Sequence, residues 1–164
     1  MERVAIVEAV RTPFVKAQTV FAELSAIELA QAAVKGLVSR LSIAPDEIEE
    51  IAYGIVLLDP RIPDIARELI IRSGLPATIT GNLVANNCIS GLVCAAMISD
   101  GIKSGRIKNG IAGGVESMSK PSLLFSEAAA NVFLKLAKAK TITQKLSILS
   151  HWRPSFLIPE APSP

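Results

Sequence analysis

The sequence predicts an α/β fold with a largely parallel sheet, because short apolar runs alternate with segments of helical periodicity along most of the chain. The first run, residues 4–10, is almost continuously apolar, which is typical of a strand covered on both faces. Three later runs, residues 51–58, 81–86 and 111–115, are also predicted strands. Strands of this composition require helices on both faces of the sheet.

Helix signals lie between the predicted strands. Ser25 and Glu28 form a capping-box pattern ahead of apolar residues with helical spacing. Residues 63–73 are a predicted helix with proline near the start and glycine just past the end, and a short helix begins at Pro45. Residues 92–104 are predicted to form the helix that follows the third strand.

Length and composition restrict the classes of protein to consider. The chain has 164 residues, of which 50% are hydrophobic, enough for one core in a single domain or part of one. The net charge of +2 comes from nearly balanced acids and bases, which argues against a nucleic-acid binder. No apolar run could span a bilayer, and the first predicted strand leaves no room for a signal peptide. We therefore expect a cytoplasmic protein.

The character of the chain changes after residue 120. Residues 1–120 are the predicted α/β domain, and residues 121–164 are a basic, amphipathic region of one or two helices with a proline-rich end. Between residues 122 and 158 there are five basic residues and one acidic residue. Three interpretations remain open: packing on the α/β core, peripheral contact of residues 123–158 with an anionic membrane, and attraction of substrate phosphates.

Cys88 is the candidate catalytic residue. It lies where a predicted strand gives way to a helix, and it is flanked by the polar residues Asn86, Asn87 and Ser90. A thiol in the first turn of a helix faces unpaired backbone N–H groups and the positive end of the macrodipole, which favour the thiolate. The alternative interpretation is a buried structural cysteine. Cys94, in mid-helix among apolar neighbours, is predicted to serve packing.

The sequence does not favour a disulfide, a metal site or a phosphate-binding loop. Six residues of helix separate the two cysteines by ~9 Å, which is beyond disulfide reach, so we expect both to stay reduced. The cysteines and His151 make no zinc spacing, so no metal is expected. Residues 112–119 (Ala-Gly-Gly-Val-Glu-Ser-Met-Ser) lack the lysine and the spacing of a phosphate loop. Their paired glycines are expected to permit a close backbone approach beneath the catalytic helix.

The chain resembles the thiolases, 3-ketoacyl-CoA thiolase or acetyl-CoA acetyltransferase, over nearly its whole length. The resemblance rests on residues 4–14 (Val-Ala-Ile-Val-Glu-Ala-Val-Arg-Thr-Pro-Phe), 87–91 (Asn-Cys-Ile-Ser-Gly) and 112–119, in the right order and spacing. Residues 134–162 are more specifically similar to the thiolase subunit of fatty-acid oxidation trifunctional complexes. The resemblance implies the N-terminal half of a layered thiolase-like fold, with a mostly parallel mixed sheet and the start of an α-helical loop region.

The resemblance also implies an activity, acyl transfer in fatty-acid β-oxidation. Cys88 would attack the ketone of a 3-ketoacyl-CoA, expel acetyl-CoA and hold the shortened acyl group as a thioester until a second coenzyme A removes it. The backbone N–H of Cys88 would be one donor to the oxyanion. Coenzyme A is then a substrate, and no permanently bound cofactor is implied. The other substrate-binding residues are not identified.

The sequence departs from the family in one important respect. Thiolases carry an activating histidine, a second catalytic cysteine and an asparagine-held water in a C-terminal half that this sequence lacks, and His151 is not expected to replace them. The last strand of the N-terminal sheet would also come later, so a sheet edge should stay open. We therefore expect either a homodimer or a complex with a thiolase C-terminal chain that completes the enzyme. A non-catalytic assembly subunit is the alternative, and a ketoacyl synthase fits residues 11–13 and 116–119 less well.

Overall fold

The computed structural model of the chain describes residues 3–122, 124–150 and 152–158. The chain divides into two compact units between Pro121 and Ser122, an α/β unit and a helical unit. The elements in chain order are α1 (Ala26–Val38), β1 (Glu50–Gly54), α2 (Ile65–Arg72), β2 (Thr80–Val84), α3 (Ser90–Lys103), β3 (Gly110–Gly114), α4 (Glu127–Lys138) and α5 (Ile142–Leu149). Short 3-10 helices cover Pro45–Glu47 and Pro154–Leu157.

The three strands form one parallel sheet in the order β2-β1-β3, which confirms the predicted α/β class. In its register, Ile51 on the central strand lies opposite Gly81 on one side and Ile111 on the other. Helix α2 connects β1 to β2, and α3 carries the chain back across β1 to β3. Because these two crossovers run in opposite directions across the sheet, the two helices lie on opposite faces.

The core of the α/β unit therefore consists of two clusters of buried side chains, one on each face of the sheet. On one face, side chains of α1 and α2 pack against alternate residues of β1, and on the other face α3 packs against the rest. The first cluster contains Ile27, Ala30, Val34, Ile51, Tyr53, Ile65, Leu69, Ile70 and Ile111. The second contains Ala52, Val84, Cys94, Ile98 and Ile107.

Two of the predicted helices, α1 and α2, begin at residues with polar capping contacts. The Ser25 hydroxyl and its backbone N–H donate to the Glu28 carboxylate at 2.5 and 2.8 Å, as the capping box predicts. The bond from the hydroxyl, followed by that from the N–H, lowers the pKa of Glu28. The Asp64 carboxylate accepts hydrogen bonds from the N–H groups of Ala66 and Arg67 at 2.9 and 3.1 Å. Helix α2 consequently begins just after Asp64.

The predicted strand over residues 4–10 is wrong. This segment has no strand assignment, and the side chains of Ile6 and Val7 are 89% and 83% exposed. A strand requires a neighbour that bonds its backbone groups, and β1 already has a neighbour on each side. In the described residues β2 and β3 each pair on one side only, and residues 4–10 pair with neither. The apolar run has strand-like composition but no partner.

The strand predicted over residues 51–58 ends early, at Gly54. The Glu116 carboxylate accepts hydrogen bonds from the backbone N–H groups of Val56 and Leu57 at 2.9 and 3.1 Å. A side chain from beyond β3 thus takes the donors that a longer strand would have offered to a neighbouring strand. The chain turns away from the sheet at this point.

An ion pair between buried Glu50 and exposed Arg106 lies on the amino-terminal side of the sheet, away from the carboxyl edge. The Glu50 carboxylate is almost fully buried and accepts a hydrogen bond from the Asn82 amide at 3.0 Å. Arg106, just before β3, pairs with the same carboxylate, which raises the pKa of Arg106. Three connected segments are therefore fixed at one edge of the sheet.

The helical unit contains α4, α5 and a chain of four aromatic rings. Neighbouring rings in the order Phe125, Phe133, Trp152 and Phe156 have centroids 5.7, 5.6 and 5.8 Å apart. These spacings are typical of stabilising aromatic pairs. None of the described helices combines the length and apolar content needed to cross a bilayer. Most of the predicted proline-rich end, from residue 159 onward, lies outside the described residues.

Candidate functional site

Cys88 lies in the loop between β2 and α3, at the carboxyl edge of the sheet, and its side chain is exposed. The carboxyl edge is where open parallel sheets usually bind their ligands. Helix α3 begins at Ser90, two residues earlier than predicted, with Ile89 as its N-cap. Cys88 therefore precedes the cap by one residue instead of lying in the first turn, which corrects the expected position of the thiol.

The loop around Cys88 is a tight turn fixed by Ser90. Asn87 has a left-handed backbone with φ of 49°, a conformation that asparagine tolerates better than most residues. The Ser90 hydroxyl accepts a hydrogen bond from the Asn86 N–H at 2.8 Å and donates one to the Asn87 carbonyl at 2.7 Å. Because Ser90 is buried, this bonding holds the backbone on both sides of Cys88.

Gly54 allows the start of α3 to approach the end of β1. A Cβ atom at Gly54 would lie 2.7 Å from Cβ of Ser90, closer than real side chains approach. The sequence predicted that the paired glycines of residues 112–119 permit a close backbone approach beneath the helix after Cys88. In the structure the two glycines make different contacts. Gly113 packs under the ring of Tyr53, and Gly114 lies near Gly91 of α3. Gly54 is thus a site residue that sequence reasoning missed.

A cavity of about 770 Å³ opens beside Cys88 within the α/β unit. Its size is in the range of small-molecule sites. One wall is the extended segment that contains Arg11 and Lys16, and apolar side chains of α1 and the sheet form much of the rest. These apolar residues include Leu29, Ala33, Val34, Leu37, Ile55 and Ile111. The cavity therefore combines an exposed thiol, two cationic side chains and an apolar interior.

Residues 112–119 fix the loops around this cavity. Ser119 bonds twice to Gln18, accepting from its backbone N–H through the hydroxyl and from its side-chain amide through the carbonyl, both at 2.9 Å. The Ser117 hydroxyl donates to the Leu24 carbonyl at 3.0 Å. The sequence signal for these roles was the position of Ser117 and Ser119 just after a predicted strand, at the carboxyl edge of the sheet. The segment acts as a structural connector, in keeping with its lack of a phosphate-loop pattern.

The second cysteine behaves as predicted. Cys94 is fully buried in the cluster beneath α3, and burial raises the pKa of its thiol. Burial, with a smaller effect of Cys94, raises the pKa of Tyr53 to about 12. Both cysteines are free. The described part of the chain contains no group of three or more histidine, cysteine or acidic residues that could hold a metal, and His151 lies outside it.

Comparison with known proteins agrees with the resemblance found in the sequence. Residues 4–156 match the family described as the thiolase N-terminal domain. The 3-ketoacyl-CoA thiolases of Erwinia tasmaniensis and Shewanella denitrificans are each 35% identical to this chain over 162 residues, which is 99% of this chain. The chain spans only 37% of the length of these relatives.

Solved structures show the corresponding similarity in fold. The acetyl-CoA acetyltransferase of Bacillus anthracis matches 66% of this chain with a TM-score of 0.64 and 26% identity. A thiolase of Ascaris suum in complex with coenzyme A matches 72% with a TM-score of 0.69 and 28% identity. The matches cover 28% and 31% of those two proteins. With a family match that covers most of its residues, this chain belongs to the thiolase family, of which it carries the N-terminal domain.

Proposed function

We propose that this chain is the nucleophile-bearing part of a 3-ketoacyl-CoA thiolase and that Cys88 is its nucleophile. The observation that carries the proposal is that the exposed residue Cys88, in a turn held by Ser90, lines a largely apolar cavity. A buried cysteine could not reach a substrate, whereas this one lies on a surface that a ketoacyl group can approach. Family membership supplies the reaction class.

The proposed reaction has two steps. The Cys88 thiolate forms a bond to the C3 carbonyl carbon, the C2–C3 bond breaks, and the departing acetyl-CoA carbanion takes up a proton. The shortened acyl group remains as a thioester on Cys88. The thiolate of a second coenzyme A then attacks the thioester carbonyl and releases Cys88 as the leaving group. Backbone N–H groups near Cys88, its own included, would stabilise the oxyanion in both steps.

The charges around the cavity support a coenzyme A ester as substrate. Arg11 and Lys16 are among the residues that line the cavity, and coenzyme A carries negative phosphates. The carboxylate of Glu116 also lies at the cavity but is bonded to backbone N–H groups of the loop after β1. Coenzyme A is a substrate in this proposal, with no resident cofactor or metal.

The proposed reaction also needs a proton donor and a proton acceptor. The chain contains a single histidine, His151, and spans 37% of the length of its relatives. We propose that a thiolase C-terminal chain supplies these groups, and that association with it or with a second copy of this chain occurs in the cytoplasm, where free thiols stay reduced. The alternative is a non-catalytic assembly subunit that keeps the thiolase surfaces without the reaction.

Complementation would test the proposal directly. The chain would be mixed with a separately produced C-terminal part of the Erwinia tasmaniensis enzyme, and coenzyme A-dependent cleavage of a 3-ketoacyl-CoA would be measured. We expect Cys88→Ala to abolish the cleavage, because it removes the attacking sulfur, and Cys94→Ala to retain it as the matched control. Mass spectrometry should locate an acyl adduct on Cys88 when the second coenzyme A is withheld.

Three outcomes distinguish the thiolase enzyme from the non-catalytic assembly subunit. Activity that requires Cys88 supports the enzyme. Activity that survives Cys88→Ala contradicts the assignment of the nucleophile. A stable complex that neither cleaves the substrate nor forms an adduct favours the assembly subunit.

A further inference from the structure

Gly91, near the start of α3, lines the cavity beside Cys88. It is the second residue of the helix, it is exposed, and it shares the cavity wall with Cys88 and Ser90. A Cβ atom added to Gly114, the last residue of β3, would lie 3.7 Å from the Cα atom of Gly91. Gly91 is therefore close both to the turn that carries the thiol and to the carboxyl end of β3.

Neither packing nor backbone conformation explains a glycine at this place in the helix. Apart from its own backbone neighbours, no heavy atom of the described residues would lie within 4 Å of a Cβ added to Gly91. The glycines with a positive φ are Gly74 and Gly105, so Gly91 does not need the left-handed region either. Glycine is less favourable than alanine in a helix. What the missing side chain preserves is open space beside Cys88.

This space is continuous with the apolar part of the cavity. Gly54 and Gly114, which are paired in the register of the sheet, line the cavity at the ends of their strands. Tyr53 and apolar side chains of α1 line it further in. Because glycine has no side chain, the wall between the thiol and these apolar groups is low. A chain attached to the sulfur of Cys88 can therefore extend over Gly91 into an apolar environment.

We propose that the space over Gly91 is the passage by which the acyl chain of the substrate runs from Cys88 into the apolar interior of the cavity. Gly91 is then a specificity-determining residue, because any side chain at this position narrows the passage next to the sulfur. Longer chains benefit most from an open passage, since each methylene group removed from water adds binding free energy. The inference rests on the proposed function, which makes Cys88 the carrier of the acyl group.

Alkylation of Cys88 would test the passage without enzymatic activity. The folded chain would be treated with iodoacetamide or with N-hexyl iodoacetamide, and mass spectrometry would follow the mass added at Cys88. In both reactions the sulfur bonds to the methylene carbon of the reagent and iodide leaves. After division by the rates for glutathione, the hexyl reagent should react at least about fivefold faster, because its chain enters the apolar interior. Buried Cys94 should stay unlabelled.

Gly36 on α1 provides the matched control. A Cβ added there would also have no heavy atom within 4 Å, but Gly36 is not among the residues that line the cavity. Gly91→Val should remove the preference for the hexyl reagent and Gly91→Ala should reduce it, whereas Gly36→Val should retain it. Circular dichroism of each variant shows whether it remains folded.

The complementation assay extends the test to the proposed reaction. With the Gly91→Val chain, kcat/KM for 3-ketodecanoyl-CoA should fall at least about tenfold relative to kcat/KM for acetoacetyl-CoA. The expected size follows from apolar pockets, in which one methylene group changes relative rates by about 10–200-fold. Gly36→Val should leave the ratio for the two substrates unchanged.

The inference would be overturned by equal normalised rates for the two reagents in the unmodified chain. A preference for the hexyl reagent that survives Gly91→Val, or that is lost equally in Gly36→Val, would also contradict it. Absence of cleavage by the mixed, unmodified chains would contradict the proposed function instead. The alkylation rates would still decide the role of Gly91, so the two proposals fail separately.

Discussion

The two units of this chain differ in how many apolar residues they bury completely. In the α/β unit, the sheet and its helices bury side chains such as Ile51, Leu69 and Ile70 completely. Ala129 is the one buried residue among residues 122, 124–150, 152–156 and 158. Large apolar residues exposed in the helical unit include Leu124, Phe125, Leu134, Ile142, Leu146, Leu149 and Ile158.

This difference shows that apolar content alone does not make a core. Each face of the sheet meets a helical layer within the same unit, and the apolar residues of both layers are removed from water together. The two helices of the other unit are too few to enclose their own apolar stripes. The α/β unit can therefore fix Cys88 by itself, while most large apolar side chains of the helical unit stay exposed.

Replacing one leucine by alanine in each unit gives the largest expected difference in the free energy of unfolding. Leu69 on α2 is fully buried and Leu146 on α5 is 61% exposed. Leu69→Ala should lower the free energy of unfolding by about 2–5 kcal/mol, because it leaves a cavity in the core. Leu146→Ala should change it by less than about 0.5 kcal/mol. Urea unfolding followed by circular dichroism measures both, and comparable losses would contradict the distinction between the units.

A second pair of substitutions tests the close packing that positions Cys88. Gly54→Ala should lower the free energy of unfolding by about 1–3 kcal/mol, since the new Cβ would lie 2.7 Å from Cβ of Ser90. Gly36→Ala on α1 is the control, because no heavy atom lies within 4 Å of its added Cβ. That change should raise stability by about 0.5–1 kcal/mol. If Gly54→Ala proved as harmless as its control, α3 would not be packed tightly against the end of β1.

The single tyrosine offers a smaller test confined to the α/β unit. Burial raises the pKa of Tyr53 to about 12 from an ordinary value of 10.0, so the unfolded chain loses this proton first as the pH rises. Stability should consequently decline between about pH 10 and 12, by about 2–3 kcal/mol from this group, and be unaffected by it below pH 10.

Ultraviolet absorbance of tyrosinate measures this titration without interference from other tyrosines. The folded chain should titrate near 12 and the chain in concentrated urea near 10. Tyr53→Phe should remove the corresponding part of the alkaline decline in stability. A folded-state midpoint near 10 would mean that the ring has access to water, against the enclosed core described for this unit.

Much of the fold could be predicted from local signals. The capping box at Ser25 and the proline and glycine that flank residues 63–73 mark real helices, and the alternation of helices with apolar runs correctly indicates a parallel sheet. The errors occur where distant residues decide the structure. Residues 4–10 have strand composition but no partner, and the strand at Gly54 stops because Glu116, far along the chain, occupies the next N–H groups.

The candidate site was also predicted only in part. The contrast between an exposed Cys88 and a buried Cys94 follows from their neighbours in the sequence, and the structure confirms it. The function of Cys88 stays a prediction. The roles of Gly54 and Glu116 depend on contacts between segments far apart in the chain, which only the folded sheet brings together. No periodicity within one segment could reveal them.

The unpaired edges of the sheet have a consequence for the purified protein. Each of β2 and β3 has one neighbour among the described residues, and β3 has small side chains and three glycines that leave its backbone accessible. Free backbone groups along such a strand can recruit a strand from another molecule, which begins aggregation. We therefore expect losses on concentration that grow with protein amount and that a short peptide capping either edge would suppress.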